Sequence, residues 1–224
     1  MFGASIFEYL AVHPDDGEVF NAGMTSASVN DAAAVVAAYD FSRFDRVVDV
    51  GGGQGGLLRA ILSANPKLRG VLADRSAVVA GAEALRTGEM ADRCEFTGVD
   101  FFSSVPGGAD AYIMRWIIHD WNDEDSLKIL RNCRTAIRLD GTLLIVDAVL
   151  KPPNEPDPGK LMDLNMLVLA LALDDRQFAR HGNHARQREV RLPKTTANSA
   201  GGALVLPSRY SSANHQRESP TIYS

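Results

Sequence analysis

The spacing of hydrophobic residues changes near residue 46 and divides the chain into two kinds of structure. Before this point the sequence predicts three helices, at residues 5–11, 15–24 and 29–39: Pro14 separates the first two, and an alanine run marks the third. After it, short β-branched runs alternate with longer amphipathic runs. This alternation predicts strands at 46–50, 69–73, 94–99, 110–114 and 142–149, and helices at 55–64, 76–86, 123–138 and 158–172.

Strands that alternate with helices form a parallel sheet covered by helices on both faces. We therefore expect a doubly wound, Rossmann-like α/β domain at residues 41–173, with an N-terminal helical segment at residues 1–40. Ligands of such sheets bind beyond the carboxyl ends of the strands. The candidate site is therefore expected in the loops that follow the strands.

The regular pattern ends near Leu173. In the remaining residues only 189–192 and 203–206 favour strands, and the residues from Pro207 onward are expected to be disordered. We predict that residues 174–224 form a divergent and largely disordered tail.

Composition narrows the class of protein. The chain has 224 residues, and its hydrophobic content of 46% is ample for a buried core. Two cysteines, without metal-type spacing, favour a reducing cytoplasm and no metal site. The longest apolar run, 166–173, is too short to cross a membrane. Residues 1–173 hold 15 basic and 24 acidic residues, a poor surface for nucleic acid.

Residues 47–56 read VVDVGGGQGG and carry the most specific chemical signal in the chain. A strand, a glycine turn and a helix bring backbone N–H groups close to a cofactor. The spacing Gly51-x-Gly53-x-x-Gly56 also fits a dinucleotide. Asp49 favours S-adenosylmethionine instead, because a carboxylate repels a pyrophosphate and attracts a cationic amino-acid group. A glycine turn without a ligand is the third interpretation.

Acidic residues follow the next two predicted strands. Asp74 can accept the ribose hydroxyls of either cofactor, or it can cap the helix that follows. Asp100 and Phe101 suit an adenine, through one hydrogen-bonded edge and one stacked face. They are equally typical of a loop acid beside a core aromatic residue.

His119 follows the fourth predicted strand and Asp147 lies inside the fifth. A histidine can take up a proton near neutral pH. A carboxylate in an apolar strand is costly unless it is paired. We therefore predict that Asp147 pairs with His119 and orients it. A surface residue in a capped loop is the alternative for His119.

Together these residues resemble the plant-type and bacterial class of S-adenosylmethionine-dependent O-methyltransferases, which includes caffeate, hydroxyindole and polyketide-tailoring enzymes. The matching segments run in family order over residues 3–170. They are FNAGM at 20–24, VDVGGG at 48–53, LAD at 72–74, GVDFF at 98–102, MRWIIHDW at 114–121 and DLNML at 163–167.

The resemblance implies methyl transfer from S-adenosylmethionine to a hydroxyl of an aromatic or polyketide small molecule. It implies that His119 deprotonates this hydroxyl. The methyl donor would be held by Gly51, Asp74, Asp100, Phe101 and Arg115. Met24 and Met166 would clamp the acceptor ring, for which a polarizable thioether is suited. Their alternative role is core packing.

The chain also departs from the family. Members usually begin with a dimerisation domain, through which they form homodimers, and this domain is missing here. Asp147 stands where glutamate is usual, and the pattern diverges after Ala170. We therefore expect a sheet that has lost its antiparallel edge and an impaired activity. A non-catalytic remnant and an NAD-dependent oxidoreductase are the alternative functions.

Overall fold

A seven-stranded sheet forms the centre of the computed structural model, which describes residues 6–147, 154–156, 160–161, 203–207 and 221–223. The strands are β1 Arg46–Val50, β2 Arg69–Asp74, β3 Cys94–Gly98, β4 Ala111–Arg115, β5 Thr142–Asp147, β6 Ala203–Pro207 and β7 Thr221–Tyr223. Their order is β3-β2-β1-β4-β5-β6-β7, and only the β6–β7 pair is antiparallel. The predicted α/β class is confirmed.

The described helices cover both faces of this sheet. They are α1 Ile6–Val12, α2 Pro14–Ala38, α3 Gly56–Ala64, α4 Ser76–Ala80, α5 Glu83–Arg86 and α6 Asp123–Ala136. One face of the sheet packs against α2 and α3 around Val47 and Leu58, and the other packs against α6 around Val48 and Ile129. Because neighbouring strand residues point to opposite faces and both faces are covered, β1 is almost entirely buried.

The helices differ from the sequence prediction in two places. The predicted helices at 15–24 and 29–39 are one continuous helix, α2, because residues 25–28 include no proline or glycine that would interrupt it. The helix predicted at 76–86 is interrupted at Gly81, where α4 ends. The helix predicted at 158–172 lies outside the described residues, except at 160–161, which are helical.

The end of the chain contributes the last two strands. β6 pairs parallel to β5, with Asp147 opposite Pro207, and β7 pairs antiparallel to β6. The strand expected at 203–206 is confirmed, whereas 189–192 lies outside the described residues. Residues Thr221–Tyr223 were expected to be disordered, but they form β7. The sheet was expected to lack its antiparallel edge, and this was wrong because β7 supplies that edge. The domain boundaries at 40 and 173 stay predictions.

No helix among the described residues is long and apolar enough to cross a membrane.

Candidate functional site

The candidate site lies at the carboxyl edge of the sheet. Asp74, Arg115 and Asp147 are the last residues of β2, β4 and β5. Since these strands are parallel and adjacent through β1, their ends meet at one edge. The predicted site residues at the ends of these strands therefore lie along the same edge.

The glycine turn after β1 is shaped by backbone conformations that favour glycine. Gly51 and Gly53 have φ angles of +69° and +60°. A side chain on Gly51 would collide with Ile117. A Cβ on Gly53, in contrast, would meet no atom of the described residues within 4 Å. The backbone at Gly53 therefore faces open space, which a cofactor could approach closely.

Asp74 ties the end of β2 to the glycine turn. Its Oδ2 accepts a hydrogen bond from the backbone N–H of Gly53 at 2.8 Å, and its Oδ1 accepts one from the N–H of Arg75 at 2.7 Å. Burial raises the pKa of the Asp74 carboxyl, against the lowering effect of these two bonds. Arg75 occupies the N-cap of α4, so the alternative role of Asp74 as that cap is not observed.

Asp49 lies beneath the glycine turn rather than in the open site. Its carboxyl group is 1% exposed and would lie 2.6 Å from a Cβ on Gly52. Oδ2 has no hydrogen-bond partner within the described part of the chain. Burial raises the pKa of Asp49 to about 7, although the positive charge of Arg115 opposes the shift. Asp49 can therefore act on a cofactor electrostatically, through the turn.

Asp100 and Phe101 have different surroundings. Asp100 accepts hydrogen bonds from the N–H of Phe102 at 3.0 Å and from the hydroxyl of Ser103 at 2.8 Å, so its carboxylate caps its own turn. Phe101 lies against the glycine turn, 3.6 Å from the position of a Cβ on Gly51. An aromatic face at that position can stack on a flat heterocycle.

The predicted pairing of His119 with Asp147 is confirmed. Asp147 Oδ1 lies 2.8 Å from Nδ1 of His119, and its Oδ2 accepts a hydrogen bond from the His119 N–H at 3.3 Å. Strands β4 and β5 are neighbours, which brings the loop after β4 to the end of β5. The ring is thus fixed in orientation by a residue of the sheet.

Asp120 is a functional candidate that the sequence interpretation missed. Its Oδ1 lies 3.2 Å from Nε2 of His119, so the imidazole has a carboxylate on each nitrogen. Burial alone would lower the pKa of His119, but the hydrogen bonds and charges of Asp120 and Asp147 raise it to about 10. The HDW sequence places an acid directly after the histidine, but it does not determine which way either side chain points.

Trp116 is a second residue that the sequence interpretation missed. Its φ is +57°, which a bulky residue rarely adopts, and its ring centroid lies 5.1 Å from that of His119 in an edge-on arrangement. Such strain persists where the surrounding structure enforces it, often at functional sites. The Trp116 ring therefore packs beside the His119 imidazole.

Of the two predicted acceptor residues, the structure describes Met24 alone. Met24 lies on α2 and is 42% exposed. Met166 lies outside the described residues. Their role stays a prediction.

The O-methyltransferase domain family matches residues 1–179. The chain belongs to this family. The family uses S-adenosylmethionine. The resemblance of the sequence to O-methyltransferases and the expected α/β fold are both confirmed.

The chain is also similar in sequence to individual O-methyltransferases. The chain is 48% identical over 169 residues to a phenazine O-methyltransferase of Lysobacter antibioticus, covering 75% of this chain and 50% of the relative. It is 41% identical over 170 residues to a mitomycin biosynthesis 6-O-methyltransferase of Streptomyces lavendulae, covering 75% and 48%. The chain spans about half the length of these relatives.

A solved O-methyltransferase from neocarzinostatin biosynthesis shares the fold. It is 34% identical, with a TM-score of 0.68 over 75% of this chain and 51% of its own. That structure contains S-adenosyl-L-homocysteine and 1,4-dihydroxy-2-naphthoic acid.

Proposed function

We propose that the protein transfers a methyl group from S-adenosylmethionine to a hydroxyl of an aromatic or polyketide small molecule. The observation that carries the proposal is the contact between the two halves of the site. Ile117 lies against Gly51 of the glycine turn, and His119, two residues later, is held by Asp147. A base is therefore fixed beside the glycine turn and the open space at Gly53, which together we call the cradle.

The residues present fit a cationic, phosphate-free donor. Gly53 exposes its backbone, Asp74 offers a carboxylate to hydroxyl groups, and Phe101 offers an aromatic face. Asp49 adds a buried carboxyl with an oxygen that no described group satisfies. Arg115, which acts electrostatically on Asp49, would hold the carboxylate of an amino-acid moiety. These acids disfavour a pyrophosphate, so the dinucleotide alternative is not supported.

His119 would act as the general base. Asp147 accepts a hydrogen bond from the Nδ1–H group, so Nε2, once it carries no proton of its own, would receive the proton of the acceptor hydroxyl. When bound, S-adenosylmethionine supplies a methyl group that the acceptor oxygen takes as the carbon–sulfur bond breaks. Positioning of the two reactants contributes much of the acceleration, and the base adds roughly 10²–10⁴-fold.

Two further expectations belong to this proposal. The free and buried state of Cys94 and Cys133 supports a cytoplasmic location. Members of the family form homodimers, and light scattering on the purified chain would test whether this chain does so.

Titration calorimetry with S-adenosylhomocysteine and with NAD tests the donor site directly. We expect binding of S-adenosylhomocysteine in preference to NAD. Mass spectrometry with S-adenosylmethionine and 1,4-dihydroxy-2-naphthoic acid, among a panel of phenols and polyketide enols, then tests methyl transfer. Equal or tighter binding of NAD would reject the donor assignment. Donor binding without methylation of any acceptor would favour a non-catalytic remnant.

A further inference from the structure

The imidazole of His119 lies between two carboxylates. Asp147 contacts Nδ1 at 2.8 Å and Asp120 contacts Nε2 at 3.2 Å. A positive charge on the imidazole is stabilised by a carboxylate close to each of its nitrogens. The two contacts therefore favour a protonated ring. A base in this state cannot accept a proton until Nε2 has lost its own.

The two carboxylates are held differently. Asp147 belongs to β5 and contacts both the ring and the backbone N–H of His119. Asp120 ends a short 3₁₀ turn, Ile118–Asp120, and follows His119 directly in the chain. Rotation of its side chain can move its carboxylate off Nε2 without breaking any pairing of the sheet. Asp147 is thus a fixed partner and Asp120 a displaceable one.

An acceptor hydroxyl needs the place that Asp120 occupies. A general base must lie about 2.6–3.2 Å from the oxygen whose proton it takes. The contact of Asp120 with Nε2 already fills that position. The acceptor and Asp120 therefore compete for the same ring nitrogen.

We propose that Asp120 is a positioning residue that holds the Nε2 proton of His119 in the acceptor-free protein and is displaced by the acceptor hydroxyl. The inference rests on the proposed function. The Nε2 proton first passes to solvent, and the vacated nitrogen then receives the hydroxyl proton during methyl transfer. The methylated product has no proton to share with His119, so Asp120 returns to the imidazolium and closes the cycle.

Few charged groups can raise the pKa of His119. Within the described residues, the charges that act on His119 are those of Asp147, from β5, and Asp120, from its own turn. The neighbouring Trp116 ring is uncharged. Replacing Asp120 therefore tests one of two identified charges, and Asp147 is unchanged in that test.

The first measurement is an NMR titration of the full chain labelled with ¹⁵N-histidine, in which His119→Gln assigns the His119 signal. Asp120→Asn should lower the pKa of His119 by about one unit or more, because an opposite charge in contact is lost. Asp120→Glu restores a carboxylate and should retain most of the raised pKa. Glu124→Gln, an exposed carboxylate in the first turn of α6, controls for net charge and should leave the signal unchanged.

The second measurement is the pH profile of kcat/KM for an acceptor. Activity should rise with pH as Nε2 loses its proton, and Asp120→Asn should move this rise to lower pH by the shift seen in the titration. Donor affinity should stay close to that of the Glu124→Gln control.

An unchanged pKa of His119 in Asp120→Asn would overturn the inference. A lowered pKa with an unmoved pH profile would also overturn it. If no acceptor is methylated by the unmodified protein, the proposed function fails. The NMR titration does not depend on turnover and still decides whether Asp120 holds the Nε2 proton.

Discussion

The two halves of the candidate site are built in different ways. On the side of β1 and β2, the cradle is made by backbone, with Gly53 donating to Asp74 across 2.8 Å. On the side of β4 and β5, the base is made by side-chain charges around His119. The cradle should therefore tolerate changes of charge better than changes of shape. The base around His119 should tolerate changes of shape better than changes of charge.

The largest effect should follow a change of shape in the cradle. Gly53→Leu places a side chain in the open space beside the turn and should abolish binding of S-adenosylhomocysteine in calorimetry. Gly88→Leu is a matched control, because Gly88 has a φ of +62° and also lacks a described neighbour within 4 Å of a Cβ. Both variants should lose about 1–2 kcal/mol of stability from the positive φ. Equal donor binding by the two variants would contradict the assignment of the cradle.

The next effect concerns the base itself. His119→Ala should reduce turnover by about 10²-fold or more, because a general base is lost from the transition state. Calorimetry should find a nearly unchanged donor affinity, since His119 is not among the residues predicted to hold the donor. A variant with a near-normal rate would mean that the acceptor ionises without help. His119 would then be a loop residue.

A smaller effect is expected for the residue that orients the base. Asp147→Asn should lower turnover less than His119→Ala, because Asp147 acts through the histidine ring. It should also lower the pKa of His119, since one of the two charges that raise it is removed. Steady-state kinetics and the ¹⁵N titration measure the two effects. A loss as large as that of His119→Ala would indicate that Asp147 has a direct role at the acceptor.

The difference between the halves also explains what the sequence could reveal. The glycine turn and its strand–helix context are local, so residues 47–56 predicted the cradle directly. The pairing of His119 with Asp147 was predictable because successive strands of a parallel sheet are often neighbours. The contact of Asp120 depends on which way a short turn points its side chains, which spacing alone does not determine.

Longer-range features were the least predictable. The pairing of β6 with β5 joins residues about sixty positions apart, and the apolar run at Ala203–Pro207 does not name its partner. The burial of Asp49 beneath Gly52 likewise depends on how the turn closes over the strand. The sequence suggested a carboxylate facing the donor, and the structure places it under the backbone. The continuous α2 was missed because Thr25, Ser26 and Ser28 are weak helix formers, although none of them interrupts a helix as proline would.

The two halves should also differ in the pH range over which each loses stability. Asp49 has its pKa raised by burial to about 7, and His119 has its pKa raised by its two carboxylates to about 10. In both cases the folded state binds more protons than the unfolded state, so the free energy of unfolding falls as pH rises. For Asp49 the fall lies between about pH 4 and 7, starting from the unfolded value. For His119 the stabilisation is complete below about pH 6.5 and is lost as pH approaches 10.

Urea denaturation between about pH 4 and pH 10 should therefore resolve two pH windows in which the free energy of unfolding falls. Each group can contribute at most about 1.4 kcal/mol per pH unit within its own window. Asp49→Asn should flatten the stability curve below pH 7 and leave the alkaline part unchanged, while His119→Gln should flatten only the alkaline part. Difference curves against the unmodified protein cancel the other titrating groups. If both variants flatten the same window, the two carboxyl-edge sites are coupled, and the separation of a backbone-built cradle from a charge-built base does not hold.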